Sequence, residues 1–447
     1  MSHSRVRERA SAAIARDGSA VCCPRVSRDA DIAIVGAGAA GLTAAMFAAR
    51  ERSCRVLVLD GAVRLGAKIL IAGGGRCNVT HDVVEETAYA GSSRPAIRKV
   101  LRRFGVEATI AWFADLGVDL VVEPGGKLFP STGRARTVLD ALLGGVRDAG
   151  AVLRHPCRVE RVVPIADGFR IESDRGLLEV PRVVLATGGR SVPMTGSDGH
   201  GYAIARALGH TIDPEPFPAL VPLTLPDGHP WIALSGVACP ARVEVRAASG
   251  AEIASFEGPV LCTHFGLSGP AVLDASRYWV EARRRDPGAS VVVCWWPGMT
   301  AEQLDRDLRA LGHSTPLRLL RTSLPERLAR TLCEQAGVDP AAPGDQLDRE
   351  RRRALVRAVL AHMAPCTGTR GFRYAEVTAG GVPLREFDLA TLESRVRPGL
   401  HLCGEILDVD GRIGGYNFQW AWASGYVAGL GSAHGGRKLA DSRRPSA

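Results

Sequence analysis

A glycine-rich turn between an apolar run and an alanine-rich segment constrains the fold of this chain more than any other feature. Residues 31–35 (Asp-Ile-Ala-Ile-Val) are apolar after the first position and do not alternate, as in a strand buried on both faces. Gly36, Gly38 and Gly41 follow in the spacing Gly-x-Gly-x-x-Gly, and residues 42–50 have the composition of a helix. The order predicts a strand, a tight turn and a helix, as in an α/β fold.

A second apolar run over residues 55–59 completes a β-α-β unit and ends at Asp60. In such a unit Gly36 permits the tight turn, Gly38 lets a pyrophosphate approach the backbone, and Gly41 lets the helix pack closely on the strand. The helix N-terminus favours the phosphate charge, and Asp60 is placed to accept hydrogen bonds from a ribose. The sequence therefore predicts a dinucleotide-binding site.

Three further glycine-rich stretches favour FAD over a nicotinamide dinucleotide as the resident cofactor. They are residues 68–78, 186–189 and 404–418, far apart in the sequence, as if they lined one long ligand. A second Gly-x-Gly-x-x-Gly motif for a permanent NAD domain is absent from the sequence.

The order of the segments predicts a discontinuous cofactor domain with an insertion. We expect a disordered tail at the start and a further tail at the end, an FAD-binding domain in two pieces, and an inserted domain whose first part is strand-rich and whose second part is helical. The corresponding ranges are 1–30 and 431–447 for the tails, 31–205 and 371–430 for the FAD-binding domain, 206–300 for the strand-rich part and 301–370 for the helical part.

The net charge of +9 is concentrated at the two ends of the chain. Residues 1–30 have six arginines against three acidic residues, and residues 431–447 have four basic residues against one aspartate. The body between them carries only +3. We therefore expect no nucleic-acid partner.

The cysteines and the apolar runs point to a cytoplasmic protein without a membrane span. The eleven cysteines are scattered without a Cys-x-x-Cys pair, as expected for reduced thiols. The pair Cys22-Cys23 lies in the leader, which is a poor signal peptide. Cys77 could be a redox-active thiol or a flavin attachment point, but we interpret it as a packed side chain. No run approaches eighteen apolar residues, and we predict no metal site.

Seven stretches of the sequence resemble the HI0933/YhiN-type family of flavoproteins, within the group with two dinucleotide-binding domains that is related to glutathione reductase. The resemblance runs from about Asp31 to about Leu430. Val192 departs from it, since the family usually has Tyr there. The matching stretches are residues 68–78, 126–130, 186–201, 218–223, 263–270, 379–382 and 404–429.

The resemblance implies a Rossmann-like FAD-binding domain with an inserted strand-rich plus helical cap, a tightly bound FAD and oxidoreductase activity. The residues that it implies for the cofactor are Gly36, Gly38, Ala39, Ala40 and Gly41 at the pyrophosphate, Asp60 at the adenosine ribose, Lys68, Gly73, Gly74, Gly75, Arg76, Cys77 and Asn78 on the flavin side, Val159 at the adenine, Ala186, Thr187 and Gly188 along the adenosine half, Gly404, Glu405 and Asp408 near the ribityl chain and phosphates, and Gly414, Gly415, Tyr416, Asn417 and Phe418 at the isoalloxazine.

The last of these segments also has a physical reason to lie at the flavin. Asn417 is expected to begin a helix over residues 418–430. A helix N-terminus stabilises the negative charge that a reduced flavin carries around N1 and the C2 carbonyl.

The expected chemistry is two-electron transfer on a small organic substrate. The resemblance implies reduction of a carbon–carbon double bond conjugated to a ketone, with NAD(P)H as a transient electron donor. His264 and Tyr416 are the candidates for the proton donor. Two alternatives stay open: a flavin-dependent amine oxidase, and a non-enzymatic FAD-binding protein that senses redox state or binds RNA through its basic tails.

Overall fold

The computed structural model describes residues 30–51 and 54–435. The predicted tails and the pair Cys22-Cys23 lie outside these ranges, except for Ala30 and residues 431–435. The strands of the described part are β1 (Ile32–Val35), β2 (Val56–Leu59), β3 (Thr80–His81), β4 (Tyr89–Gly91), β5 (Leu120–Glu123), β6 (Lys127–Pro130), β7 (Val152–Arg154), β8 (Val159–Ile165), β9 (Gly168–Ser173), β10 (Gly176–Val180), β11 (Arg182–Leu185), β12 (Phe217–Ala219), β13 (Leu223–Thr224), β14 (Ala238–Arg246), β15 (Glu252–Thr263), β16 (Gly266–Ser268), β17 (Ser290–Cys294), β18 (His362–Ala364), β19 (Gly368–Thr369), β20 (Val377–Ala379), β21 (Leu400–Leu402) and β22 (Val409–Gly411).

The helices separate and cover these strands. They are α1 (Ala39–Arg50), α2 (Ala67–Gly75), α3 (Arg94–Leu101), α4 (Val106–Asp115), α5 (Ala135–Asp148), α6 (His200–Ala207), α7 (Pro270–Arg285), α8 (Ala301–Arg309), α9 (Pro316–Leu320), α10 (Glu326–Gln335), α11 (Arg349–Leu360) and α12 (Tyr416–His434).

A five-stranded parallel sheet forms the centre of the first domain, in the order β21-β11-β1-β2-β7. Every residue of β1 and β2 is buried, which explains their unbroken apolar sequences. Strand β21 comes from the far end of the chain, so this sheet is built from two separate segments. Its hydrophobic core accordingly combines residues between positions 30 and 208 with residues between 382 and 428.

Helix α12 packs against α1, and two glycines make the close approach possible. A Cβ atom on Gly425 would lie 2.5 Å from the carbonyl oxygen of Ala40, and one on Gly429 would lie 2.5 Å from that of Ala44. The packing brings the N-terminus of α12 to the same side of the sheet as the N-terminus of α1. Helix α12 is longer than the predicted 418–430 and extends to His434, into the segment that we expected to be a tail.

The second domain contains a seven-stranded sheet in the order β18-β17-β14-β15-β16-β13-β19, with antiparallel pairs throughout. Helix α7 packs against β14 and β15, and α8 to α11 share the same hydrophobic core. The sequence analysis described this region as strand-rich and missed α7. The predicted fold class, a Rossmann-like α/β domain with a strand-rich and helical second domain, is confirmed.

Among the described helices, none combines the length and the hydrophobicity that a bilayer crossing needs.

Candidate functional site

One elongated cavity of about 1130 Å³ runs from the turn after β1 to the N-terminus of α12. It brings together all four glycine-rich stretches that the sequence analysis singled out. The predicted residues that line it are Gly36, Gly38, Ala39, Ala40, Asp60, Lys68, Gly73, Gly74, Arg76, Asn78, Val159, Ala186, Thr187, Gly188, Gly404, Glu405, Gly414, Gly415, Asn417 and Phe418.

The first glycine loop has the geometry that its spacing predicts. Gly36 has a φ of +106°, a left-handed value that favours glycine. A Cβ on Gly41 would overlap the carbonyl oxygen of Gly36, so a side chain there would separate the helix from the turn. At Gly38 no atom lies within 4 Å of an added Cβ, and the space opens into the cavity. The backbone N–H groups at the start of α1 are therefore accessible to a ligand.

Asp60 closes this end of the cavity and also holds the loop in place. Its Oδ2 accepts a hydrogen bond of 2.6 Å from the backbone N–H of Ala37, and its Oδ1 accepts one of 2.7 Å from that of Ala62. Each carboxylate oxygen has capacity for a further hydrogen bond. The carboxylate can thus meet a ribose while it fixes the turn.

Two polar atoms in the cavity wall have no hydrogen-bond partner within the described residues. They are Oδ1 of Asn78 and Oγ1 of Thr187, both buried. Buried polar atoms are nearly always paired, so unpaired ones in a cavity wall indicate a ligand. A long cavity with free helix N–H groups, a carboxylate for a ribose and two unpaired polar atoms fits a dinucleotide such as FAD.

The stretch over residues 68–78 is not a simple loop. It contains the short helix α2, which breaks at Ala72, Gly73 and Gly74, where the backbone leaves the helical region. An added Cβ on Gly74 would meet no atom within 4 Å. Gly74 therefore leaves open space at this bend in the cavity wall, where a flat ring system can approach the backbone.

Cys77, next to this bend, does not line the cavity and is fully buried. Burial raises the pKa of its thiol to about 12. A thiol that stays protonated is a poor nucleophile, which supports our interpretation of Cys77 as a packed side chain. Gly41 and Gly75 are also absent from the lining.

Lys68 and Glu405 form an ion pair that joins the two glycine-rich stretches over residues 68–78 and 404–418. The Nζ of Lys68 lies 2.8 Å from Oε2 of Glu405 and 2.8 Å from Oγ of Ser191. The other carboxylate oxygen accepts a hydrogen bond of 2.6 Å from the backbone N–H of Thr378. Burial opposes the ionisation of Glu405, but Lys68 and the hydrogen bonds from Thr378 outweigh it and lower its pKa. Glu405 is therefore a fixed negative charge in the cavity wall.

The side chain of Asn417 forms hydrogen bonds with the backbone of the protein. Its Oδ1 accepts a hydrogen bond of 2.8 Å from the N–H of Gly411, and its Nδ2 donates one of 2.9 Å to the carbonyl of the same residue. This reciprocal pair fixes the end of β22 against the first turn of α12. The backbone N–H groups of that turn stay available at the cavity.

Three more predicted residues lie outside the cavity lining, in addition to Gly41, Gly75 and Cys77. His264 is exposed on the loop between β15 and β16. The ring of Tyr416 stacks on His81 with their centroids 4.9 Å apart, and its backbone carbonyl accepts the Tyr89 hydroxyl. Asp408 is buried beside Asp410, and burial together with that neighbour raises its pKa to about 7.

The structure adds charged residues that the sequence analysis did not choose. Lys127 begins β6 and Glu376 immediately precedes β20, and both line the cavity near the glycine loop over residues 412–415. Lys127 lies in the stretch 126–130 that resembles the family, so the sequence contained a signal that could have identified it. Glu376 lies just before the matched stretch 379–382, so no motif includes it.

Glu376 is exposed, and the space that it faces is the cavity. Although the side chain is open to the cavity, the protein atoms around it partly desolvate the carboxyl group and raise its pKa; Lys127 opposes this effect and Asp274 adds to it. Asp274 in turn accepts a hydrogen bond of 2.8 Å from the N–H of Ile413 and one of 3.3 Å from Arg412. This end of the cavity therefore offers the amino group of Lys127 and a carboxyl group whose pKa is raised.

No group of three His, Cys, Asp or Glu side chains in the described ranges is arranged to hold a metal ion.

Comparison with known proteins places the chain in a family. The model of the HI0933-like protein Rossmann domain matches residues 30–431. The 3-dehydro-bile acid delta(4,6)-reductase of Clostridium scindens is 36% identical over 408 residues, which are 90% of this chain and 98% of the reductase. The ribosomal RNA dihydrouridine synthase of Escherichia coli is 35% identical over 400 residues, covering 89% of this chain and 96% of the synthase.

A solved structure has the same fold at low identity. It is 3-ketosteroid delta1-dehydrogenase from Sterolibacterium denitrificans in complex with 1,4-androstadiene-3,17-dione, with a TM-score of 0.51 and 13% identity. The match covers 91% of this chain and all of that one. Because the family model spans nearly the whole described chain and the relatives match along nearly their full lengths, this chain belongs to the HI0933-like family and is an FAD-dependent oxidoreductase.

Proposed function

We propose that this protein reduces a carbon–carbon double bond that is conjugated to a carbonyl group. The observation that carries the proposal is the pair Lys127 and Glu376, which lines the same cavity as the glycine-rich segments. This reaction needs a cation or a hydrogen-bond donor at the carbonyl oxygen and an acid beside the adjacent carbon. The two side chains have that chemistry.

In this proposal the cavity residues hold FAD along its length. The N-terminus of α1 binds the pyrophosphate and Asp60 the adenosine ribose. The break in α2 and the start of α12 meet the ring system. The residues assigned are Gly36, Gly38, Ala39 and Ala40 for the pyrophosphate, Asp60 and Val159 for the adenosine, and Gly73, Gly74, Asn78, Gly414, Gly415 and Phe418 for the ring system.

FAD held in this cavity would, once reduced, supply the hydride for the carbon that lies β to the carbonyl. Lys127 donates a hydrogen bond to the carbonyl oxygen and stabilises the negative charge that develops there. Glu376 in its protonated form gives its proton to the α-carbon, which completes the addition of two hydrogens. The two electrons come from NAD(P)H, which is oxidised to NAD(P)⁺ and docks transiently, since the sequence has no second dinucleotide motif.

The relatives support the reaction class because each is named for the reduction of a carbon–carbon double bond that is conjugated to a carbonyl group. The bile-acid relative is named a delta(4,6)-reductase of a 3-dehydro compound, and the other relative makes dihydrouridine in ribosomal RNA. Dihydrouridine is uridine with two hydrogens added across the C5–C6 double bond, which is conjugated to the C4 carbonyl. Reduction of a ring enone and reduction of a uracil are therefore the same type of reaction, the addition of two hydrogens to a double bond conjugated to a carbonyl group.

The test is turnover of both substrate types by the purified holoenzyme. We expect a 3-keto-delta4 steroid or a uridine-containing RNA, incubated with NADH or NADPH under nitrogen, to gain two hydrogens by mass spectrometry. The Glu376→Gln variant should form much less product. Oxygen uptake with amines and no reduction of either substrate would contradict the proposal and favour the amine oxidase. Absence of both activities in a yellow protein would favour the redox sensor.

A further inference from the structure

Helix α7 of the second domain contacts the walls of the cavity through buried polar side chains. One of them, Ser276, is fully buried. Its Oγ donates a hydrogen bond of 2.7 Å to the carbonyl of Leu273 within the helix and accepts one of 3.0 Å from the backbone N–H of Val221. Val221 follows Leu220, a residue of the cavity lining. Ser276 therefore holds a segment of the cavity wall in place.

The same segment of the wall binds Glu376. The backbone N–H of Glu376 donates a hydrogen bond of 3.1 Å to the carbonyl of Leu220. The two residues lie at the end of the antiparallel pair of β12 and β20, where Ala219 is opposite Val377. Ser276 is thus connected to Glu376 through two consecutive residues of the wall and their backbone hydrogen bonds.

Leu220 has a backbone conformation that needs this support. Its φ is +47°, in the left-handed region that a bulky side chain rarely adopts. Strain of this kind persists only where the surrounding structure enforces it, and it is concentrated at functional sites. The hydrogen bonds of Glu376 and Ser276 lie on either side of this residue. Without the Ser276 hydroxyl group, the segment can relax toward an extended conformation and displace Glu376.

A second series of contacts leads from α7 to Lys127. Asp274 accepts hydrogen bonds from the backbone N–H of Ile413 and from the side chain of Arg412. The next residue, Gly414, faces Lys127: a Cβ on Gly414 would lie 3.6 Å from Cε of Lys127. The position of this loop therefore limits where the amino group of Lys127 can lie.

We propose that Ser276 and Asp274 are positioning residues for the reduction of the conjugated double bond. Ser276 places Glu376, while Asp274 places Lys127 and keeps the proton on Glu376. Neither Ser276 nor Asp274 lines the cavity, so each acts through the residues that do. The inference rests on the proposed function and states how the second domain takes part in it.

The charge of Asp274 acts on Glu376 as well. Burial raises the pKa of Asp274, but the N–H of Ile413 and the guanidinium of Arg412 oppose this effect because they hold its ionised form. In addition to partial desolvation, this carboxylate raises the pKa of Glu376, because it disfavours a second negative charge nearby. The other titratable groups that face the two carboxyl groups are Lys127 on β6, Tyr278 on α7 and Tyr416 on α12.

The first test follows a single turnover of the holoenzyme by stopped-flow absorbance under nitrogen, with a 3-keto-delta4 steroid as the substrate. Ser276→Ala leaves the buried N–H of Val221 without its acceptor and should slow substrate reduction by about 10- to 100-fold, because the acid is displaced. Reduction of the cofactor by NAD(P)H should keep its wild-type rate. In the Glu376→Gln background, Ser276→Ala should cause no further loss, since Ser276 acts through Glu376.

The matched control for this variant is Ser432→Ala. Ser432 is also fully buried on a helix, and its hydroxyl group donates a hydrogen bond of 2.8 Å to the carbonyl of Gly429, three residues earlier, as Ser276 does to Leu273. It lies near the C-terminus of α12, outside the cavity lining. This variant should therefore reduce the steroid at the wild-type rate.

The second test uses Asp274→Asn, which keeps the size of the side chain and removes its charge. The pKa of Glu376 should fall as a result, so the loss of rate at high pH should begin about one pH unit lower than in the wild type. Glu281→Gln is the control, because Glu281 is a carboxylate on the same helix that pairs with Arg277 outside the cavity lining. It should leave the pH profile unchanged. This test does not depend on whether the Ser276→Ala variant folds.

A wild-type rate in Ser276→Ala would overturn the role of Ser276, and an unchanged pH profile in Asp274→Asn would overturn that of Asp274. An equal effect in the control, or the same loss when Ser276→Ala is added to Glu376→Gln, would show a general effect on stability and would overturn the inference too. These outcomes leave the proposed function standing when the wild type reduces the steroid with a pH profile that depends on Glu376. A wild type that reduces no substrate would contradict the proposed function itself, and the inference with it.

Discussion

The candidate proton donor in the structure differs from the two candidates that the sequence indicated. His264 and Tyr416 were chosen from the sequence because each lies in a glycine-rich segment of the resembling family. In the structure His264 is on an exposed loop and Tyr416 stacks on His81, whereas Glu376 lines the cavity. No motif could identify Glu376, since its role depends on β6 bringing Lys127 close to it.

Glu376 gives a prediction about pH. Only the protonated carboxyl group can donate, so the rate of substrate reduction should fall as the pH rises through the raised pKa of Glu376. Glu376→Gln should slow this step by about 10²- to 10⁴-fold and remove that pH dependence. Reduction of the bound cofactor by NAD(P)H should not change, because this proton is not used there. Stopped-flow absorbance separates the two steps.

The matched control for this experiment is Glu252→Gln, a carboxylate on β15 that is exposed to solvent and outside the cavity lining. It should behave as the wild type. A Glu376→Gln variant that retains the rate and the pH profile would exclude this residue as the acid.

At the scale of secondary-structure elements, the N-termini of α1 and α12 were the most predictable features. Both depend on local sequence: an apolar strand, glycines at fixed spacing and an alanine-rich or aromatic helix. Helix α7 was missed although Pro270 stands at its start, a position that favours proline. The many valines and glycines in residues 206–300 favoured strands and turns, so the segment was not predicted as a helix. Its place on the sheet depends on packing against β14 and β15, which are distant in sequence.

The start of α1 gives a prediction with a control of the same geometry. Gly38 is the N-cap of α1 with a φ of −80°, so Val can adopt its backbone, but its side chain would project into the open space of the cavity. Gly38→Val should therefore fold and yield colourless protein. Gly105 caps α4 with a φ of −82° and also has room for a side chain, but it lies outside this cavity.

Gly105→Val should remain yellow, with the FAD content of the wild type measured by absorbance after release of the cofactor. Circular dichroism checks that both variants are folded. A folded Gly38→Val protein with a full complement of FAD would disprove the assignment of this loop to the pyrophosphate.

At the scale of the whole molecule, the boundary between the two domains lies beside one end of the cavity, where Asp274 of α7 contacts the lining residues Arg412 and Ile413. A buried ion pair crosses this boundary: Nε of Arg277 on α7 lies 3.0 Å from Oδ2 of Asp410 on β22, and the two side chains are 7% and 5% exposed. Asp274, one turn earlier on α7, holds Arg412 and Ile413 at the cavity. The second domain thus positions the glycine loop that precedes α12.

The sequence could predict the glycine-rich side of the cavity because that side is made of contiguous motifs. It could not predict the opposite side, where Lys127 and Glu376 come together from different elements. The local distribution of charge was likewise not predicted from the net charge. The body has a small net charge, yet three arginines without carboxylate partners in the described chain gather around Tyr374 and Phe372. Arg370 and Arg373 stand beside Phe372 and Tyr374 in the sequence itself, and the tertiary structure adds Arg190.

The most direct test of the central claim is a single turnover followed by the visible spectrum under nitrogen. The purified holoenzyme is reduced with one equivalent of NADH or NADPH, and a conjugated enone or uridine-containing RNA is then added. The account predicts that the yellow absorbance bleaches with the nicotinamide and returns on addition of substrate, with one equivalent of a product that carries two more hydrogens. A cofactor that bleaches and is reoxidised only by oxygen, with neither substrate consumed, would contradict it.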